Sequence, residues 1–178
     1  MRKEYGAAEA VSTAEEDSFE AFFIENYPRV YALLYRLTGQ KAEAEDLAVE
    51  TFVRLWQRSP KFSDQMTGWL YRVATRLGYN ALRDAKRRTR YEQRAILYEV
   101  GRNASSNPAD EVAQLREKDK VRRVLQQMSH RSAEIVVLFH SGFTYKEIAS
   151  VVDVSPNSVG TLLARAEREF ERIYREGG

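Results

Sequence analysis

The sequence predicts an all-α chain: two small helical domains joined by a flexible linker, the second domain containing a helix-turn-helix. Three observations predict it. Apolar residues recur at spacings of three and four through successive stretches, which puts them on one face of a helix. No run alternates apolar and polar residues with the two-residue period of a half-buried strand. Residues 100–110, VGRNASSNPAD, are small, polar and proline-containing with no apolar period, and so read as a linker.

The chain has 178 residues, 43% hydrophobic and 30% charged, a balance that sets it apart from disordered and membrane-spanning sequences. It has no cysteine, so disulfides and cysteine-ligated zinc are excluded, and a reducing cytoplasm is the expected setting. Residues 1–17 are polar and acidic without an apolar core, so they read as a tail and not as a signal peptide. No stretch has the length of apolar residues that membrane insertion requires. Charge is unevenly spread. Residues 1–52 hold 5 Lys/Arg and 11 Asp/Glu, net −6; residues 53–102 hold 12 and 4, net +8; the remainder is neutral. An acidic head beside a basic block suits two different partners, the basic one facing a polyanion, although a solvated helix face would carry such a run equally well.

The first helix is expected over residues 18–37, with Phe19, Phe22, Phe23, Tyr27, Val30, Leu33, Leu34 and Leu37 on its apolar face, Ser18 as N-cap and Thr38–Gly39 as stop. The second spans 41–58, burying Ala44, Leu47, Ala48, Phe52, Leu55 and Trp56, and ends at Ser59-Pro60. Residues 61–67 read as a loop. The third helix spans 68–88, with Trp69, Leu70, Val73, Ala74, Leu77 and Ala81 inward and an arginine-rich side outward. Residues 89–99 could extend that helix or dock loosely. These three helices form a small bundle. Four more are expected over 109–128, 132–140, 145–152 and 156–175. The domains are residues 18–95 and 111–178, with 96–110 between them.

The most specific local motif is TYKEIASVVDVSPNSVGTLLARAE at residues 144–167. It reads as a helix-turn-helix. Ile148, Ala149 and Val152 face inward, and the small Ala149 lets two helices cross closely. Asp153 stands where the turn requires the left-handed region, which aspartate tolerates. Val154 fills the angle between the helices. Ser155 caps the second helix and Pro156 takes its first position, where a missing N–H costs nothing. Val159, Leu163, Ala166, Phe170 and Ile173 make the buried stripe of that helix. Its opposite side presents Asn157, Ser158, Thr161, Arg165 and Arg168, short polar and arginine side chains suited to base edges and phosphates. A hairpin used only for packing would show the same spacing.

Two blocks together resemble the extracytoplasmic-function (ECF) sigma factors. Residues 19–90 resemble their region two through YRLTG at 35–39, AEDL at 44–47, ETFVRLW at 50–56, WLYRVATRL at 69–77, NALRD at 80–84 and KRR at 86–88. Residues 112–175, with the helix-turn-helix, resemble their region four. The resemblance implies an alternative sigma factor that binds core RNA polymerase and directs initiation at particular promoters, with no enzymatic activity, no cofactor and no small-molecule substrate. It implies that Asp46, Glu50, Val53, Arg54 and Trp56 grip the polymerase, charged groups beside exposed apolar ones suiting a helix-on-helix interface. Phe62, Ser63, Asp64 and Gln65 would form a pocket for a base leaving the duplex, with Lys61 beside them among the −10 contacts. Arg72, Arg76, Asn80 and Arg83 would line the −10 strand, and Lys86, Arg87 and Arg88 would hold phosphates. Trp69 fits core packing better than base stacking, and Tyr71 and Tyr79 receive no role. Tyr145, Asn157, Ser158, Thr161, Arg165 and Arg168 would read the −35 duplex. An anti-sigma partner is a family expectation.

The sequence departs from the family at Gly160, Leu162 and Ala164, positions commonly basic in it, and each missing cation removes a phosphate contact. Two explanations for these residues are a close approach of backbone to DNA at Gly160 and a protein interface at Leu162. Two other functions remain open: a stand-alone helix-turn-helix regulator, and a mimic that sequesters an anti-sigma factor. His130 and His140 are too far apart for a local metal pair; His130 reads as exposed and His140 as a terminal cap group. The carboxylates of residues 43–50 have no pocket for acid–base work.

Overall fold

The computed structural model describes the backbone of residues 4–58, 64–96 and 109–177, and side chains within 18–58, 66–85 and 116–177. Among these residues the chain is all helical: α1 (Glu4–Thr38), α2 (Lys41–Gln57), α3 (Asp64–Ile96), α4 (Ala109–Leu125), α5 (His130–His140), α6 (Tyr145–Val152) and α7 (Pro156–Glu176). α1, α2 and α3 pack as one bundle, and α4 to α7 as a second.

The first bundle is closed by Val30, Leu33, Leu34 and Leu37 from α1, Ala44, Ala48, Phe52 and Leu55 from α2, and Leu70 and Ala74 from α3, all buried. Aromatic rings fill the α1–α2 crossing: Phe23 meets Phe52 edge-on at 4.7 Å and Phe19 meets Trp56 at 4.8 Å. Gly39, at φ +75°, ends α1 as the sequence anticipates, its N–H donating to the Tyr35 carbonyl at 2.9 Å.

Several boundaries differ from the expectation: α4 ends at Leu125 and not at 128, α5 begins at His130 and not at 132, and two helices start earlier than expected. α1 begins at Glu4, so Ser18 is an interior residue and not an N-cap. The alanine- and glutamate-rich stretch before it favours helix without any apolar stripe, and a reading that starts from the stripe misses it. α3 begins at Asp64, so residues 64–67 are helical and not loop, and it runs on through 89–96. Trp56 does not join the buried face: it is 47% exposed, with its ring edge-on to Phe19. Residues 97–108 lie outside the described residues, and with them most of the expected linker.

The helix-turn-helix follows its residues closely. Thr144 and Glu147 form a capping box on α6, Asp153 sits left-handed at φ 57°, ψ 62°, and Pro156 opens α7. Ser155 occupies the N-cap position with extended backbone, but its side chain accepts no capping bond; its carbonyl instead takes the Ser158 N–H at 2.9 Å. Ile148, Ala149, Val152, Val159, Leu163, Ala166 and Ile173 are buried as expected, while Phe170 is only partly so.

The two bundles meet along one face of α3. Tyr71 and Tyr79, without a role in the sequence reading, are 1% and 5% exposed because they stand in this seam. Tyr71 packs edge-on against Phe143 at 4.6 Å. The Tyr79 hydroxyl donates at 3.2 and 3.1 Å toward the carbonyls of Leu125 and Met128, and its ring meets His130 at 4.5 Å. Thr75 donates to Glu134 at 2.6 Å, and Gln126 to the Leu82 carbonyl at 2.8 Å. His130 is therefore a seam residue as well as an exposed one, and His140 lies exposed in the last turn of α5.

At one end of the seam Arg29 reaches across from α1. Its guanidinium lies 4.0 Å from the Phe143 ring centre and donates to Glu147 at 2.6 Å. Partial burial pushes the Glu147 carboxyl upward, but hydrogen bonds from Arg29 and from the Thr144 backbone and hydroxyl outweigh it and hold the carboxyl at about 2. A carboxyl depressed in the folded state stabilises it above the unfolded value, 4.5, and this contribution is lost as pH falls toward 2. We predict that thermal melting at stepped pH shows the wild-type chain losing stability across that window more steeply than Glu147→Gln; parallel curves would contradict the assignment.

Candidate functional site

Three exposed surfaces contain the expected contact residues whose side chains are described, Arg72 excepted, and each follows from helical spacing. On α2, Val49, Val53 and Trp56 form an outward stripe, 50%, 42% and 47% exposed. Large apolar side chains aligned on a helix and left open mark a docking face more than a surface in water. Asp46 is exposed beside them, and Glu50 pairs with Arg54 at 2.7 Å. Phe19, Phe23 and Phe52 floor an open groove of about 450 Å³ behind Val53 and Trp56. The structure thus brings together all five residues expected on this face and adds Val49, which the sequence reading passed over. Its signal was available: residue 49 lies three before Phe52 and four before Val53, on the border of the buried stripe.

On α3, Arg76, Asn80 and Arg83 are exposed and spaced by four and three, so they share one side of the helix. Arg72, one turn earlier, departs from the expectation. It is half-buried, and its Nε and Nη2 donate at 2.7 and 2.6 Å to the carbonyls of Val151 and Ser150, in the second bundle. Trp69 is partly buried against the core, as expected, with the Arg58 guanidinium 5.3 Å from its ring centre. Of the remaining −10 candidates, Lys61, Phe62 and Ser63 lie outside the described residues. Asp64, Lys86, Arg87 and Arg88 are on α3, with only their backbone described.

On the helix-turn-helix, Tyr145, Asn157, Ser158, Thr161, Arg165 and Arg168 are all exposed. The last five run along one side of α7, opposite its buried stripe. Arg168 folds back on the Ala164 carbonyl at 3.0 Å, and Ala164, small and exposed, leaves the middle of this side shallow. Gly160 is half-buried beneath Tyr145, where an added Cβ would meet the ring at 3.5 Å, an ordinary contact. Leu162 packs partly against the core. Gly160 thus lies beside a side chain of α6, and Leu162 packs in part against its own domain.

No group of His, Cys, Asp or Glu among the described residues could hold a metal ion, and none of their helices is long and apolar enough to cross a membrane.

Comparison with known proteins yields two family matches. Residues 7–88 match Sigma-70 region 2, and residues 118–170 match Sigma-70, region 4. The chain is 31% identical over 162 residues to the RNA polymerase sigma factor CarQ of Myxococcus xanthus, covering 89% of this chain and 88% of that protein. It is 29% identical over 162 residues to the ECF RNA polymerase sigma factor SigE of Mycolicibacterium smegmatis, covering 88% of this chain and 60% of that longer protein. A solved structure with the same fold is the sigma factor RpoE in complex with the anti-sigma factor NepR from Bartonella quintana, with TM-score 0.51, 17% identity, and coverage of 89% of this chain and 97% of that one.

Replacing Gly160 with alanine is predicted to raise stability by about 0.5–1 kcal/mol, since helix propensity improves and the added methyl meets no obstacle. Urea unfolding measures this; a loss of stability would show that the contact with Tyr145 cannot accept a methyl group.

Proposed function

The chain belongs to the ECF subfamily of RNA polymerase sigma factors, and from that premise we propose that it binds core RNA polymerase and divides promoter recognition between its two helical bundles. Such proteins are initiation factors, and we assign the chain no catalytic step of its own; it works in the cytoplasm, where the polymerase is.

The observation that carries this reading is the outward apolar stripe Val49, Val53 and Trp56 flanked by Asp46 and Glu50, on the same bundle as the exposed cations of α3. A regulator acting alone on DNA has no use for such a stripe. A factor that docks on a large enzyme does, since aromatic and aliphatic anchors rimmed by charge make the centre of a protein interface. The same bundle then handles the −10 strand. Opening a duplex without a nucleotide cofactor requires capturing bases as they unstack, at a cost of a few kcal/mol, with stacking surfaces and cations along the strand. Arg76, Asn80 and Arg83 on α3 are suited to that strand, followed by Lys86, Arg87 and Arg88. Phe62, Ser63, Asp64 and Gln65 are the residues we assign to the base pocket.

The second bundle takes the −35 duplex through Asn157, Ser158, Thr161, Arg165 and Arg168, with Tyr145 beside them. With no cation at 160, 162 or 164, this hold is weaker in its phosphate component, and a net charge of +2 gives the free chain little non-specific affinity for DNA. The structural relative from Bartonella quintana is bound to an anti-sigma factor; an inhibitor of that kind is the partner we propose for this chain.

A gel shift on promoter fragments with and without core polymerase tests the reading. A shift that requires polymerase, and is weakened by Asp46→Arg with Glu50→Arg, is the expected result. A shift without polymerase would point to a stand-alone regulator, and no shift in either condition to a mimic that only sequesters an inhibitor. Within the polymerase complex, Arg76→Ala with Asn80→Ala is predicted to lower permanganate reactivity of the opened strand on the order of tenfold while polymerase binding persists. An unchanged bubble would remove these residues from the strand.

A further inference from the structure

The recognition helix α7 begins without charge. Its first nine residues, PNSVGTLLA at 156–164, include no lysine, arginine, aspartate or glutamate, and its first cation is Arg165. The N-terminal part of such a helix is the part that enters the major groove. Whatever holds that part against the sugar–phosphate strands must be an uncharged group or come from another element.

α6 offers such a group. Tyr145 is its first residue, and the capping box of Thr144 and Glu147 fixes the backbone at that point. The tyrosine ring lies over Gly160 of α7. A Cβ added at Gly160 would stand 3.5 Å from Tyr145 Cε2 and 3.9 Å from its hydroxyl oxygen. Phe139 of α5 also packs against the ring, with centroids 6.2 Å apart. A ring seated this way loses little freedom on binding. Tyr145 is nevertheless 44% exposed, and no described residue bonds its hydroxyl. A free hydroxyl therefore stands at the surface of α7, where a side chain at 160 would begin. Glycine leaves that seat open. Alanine would meet the ring in ordinary contact, but a longer side chain would share its space.

We propose that Tyr145 is the phosphate anchor for the N-terminal part of α7: its hydroxyl donates to a backbone phosphate oxygen of the −35 duplex from the seat that Gly160 leaves open. This deepens the −35 reading and rests on it. Phosphate is the acceptor, and not a base edge, because the first helix of a helix-turn-helix crosses the sugar–phosphate backbone while the second meets the bases. A neutral anchor has its own signature. It makes a charge-assisted hydrogen bond but neutralises no phosphate, so it releases no counterion. A phosphate contact also carries no base preference.

The test uses holoenzyme assembled from core polymerase and the full chain, with binding to promoter fragments measured across a salt series. Tyr145→Phe keeps the ring and removes only the hydroxyl. Promoter affinity should fall about tenfold, by the same factor on fragments altered at single −35 base pairs. The slope of log affinity against log salt should stay as it is, whereas a lost cation, as in Arg165→Ala, flattens it by about 0.9. Adding Gly160→Lys to Tyr145→Phe should recover affinity and steepen the slope by about 0.9, because a cation then rises from the same seat. Unchanged affinity in Tyr145→Phe, a loss that varies with the −35 bases, a flattened slope, or a double variant that binds no better than Tyr145→Phe would overturn the anchor. The wild-type chain separates this from the reading beneath it. If promoter binding requires the chain and Tyr145→Phe matches the wild type, the anchor alone fails; if promoter binding does not require the chain, both fail.

Discussion

The guanidinium of Arg72 on the α6 carbonyls is the contact on which the arrangement of the whole chain turns. α6 has eight residues and cannot satisfy its own C-terminal end. Any packing of the two bundles must answer for those carbonyls, with water or with a donor. The chain uses an arginine from a helix that sequence pattern assigns to a different partner. Once Arg72 is there, Gly68 passes Ser150, Tyr71 meets Phe143, Tyr79 reaches the end of α4, and Arg29 closes on Glu147. These contacts are polar or aromatic, apart from the close passage of Gly68. A seam of this kind is specific in register without being as apolar as a permanent interface.

Much of the fold was legible in the residues. Apolar spacing located the seven helices of the described residues, and the turn chemistry of Thr144, Asp153 and Pro156 located α6 and the start of α7 to the residue. What escaped was whatever apolar spacing does not encode. The start of α1 lies in alanine and glutamate, which favour helix but leave no stripe. The start of α3 at Asp64 escaped because its first turn precedes the periodic residues. Ser155 was placed correctly as the residue before α7, but its side chain makes no cap, because position alone does not settle a rotamer.

The candidate surfaces were legible for a different reason. Exposed arginines and asparagine at spacings of four and three on α3, and short polar residues opposite the buried stripe of α7, follow from helix geometry once the core is assigned. Trp56 shows the limit of that logic: at the edge of the stripe it was given to both the core and the polymerase face, and its 47% exposure leaves most of the ring to the second role. Arg72, Tyr71 and Tyr79 show a deeper limit. All three lie on the α3 face that meets the second bundle, and no periodicity within one bundle reports a contact made with another. Gly160 likewise gains its meaning from Tyr145, fifteen positions away on α6.

The seam joins the two bundles, and the polymerase face and the promoter faces lie outside it. The most direct test of the account is run-off transcription with purified core polymerase on native promoter fragments. The account predicts transcripts with a defined start that require the chain and are lost in Val53→Glu with Trp56→Glu. No chain-dependent transcript, or one unaffected by those substitutions, would contradict it.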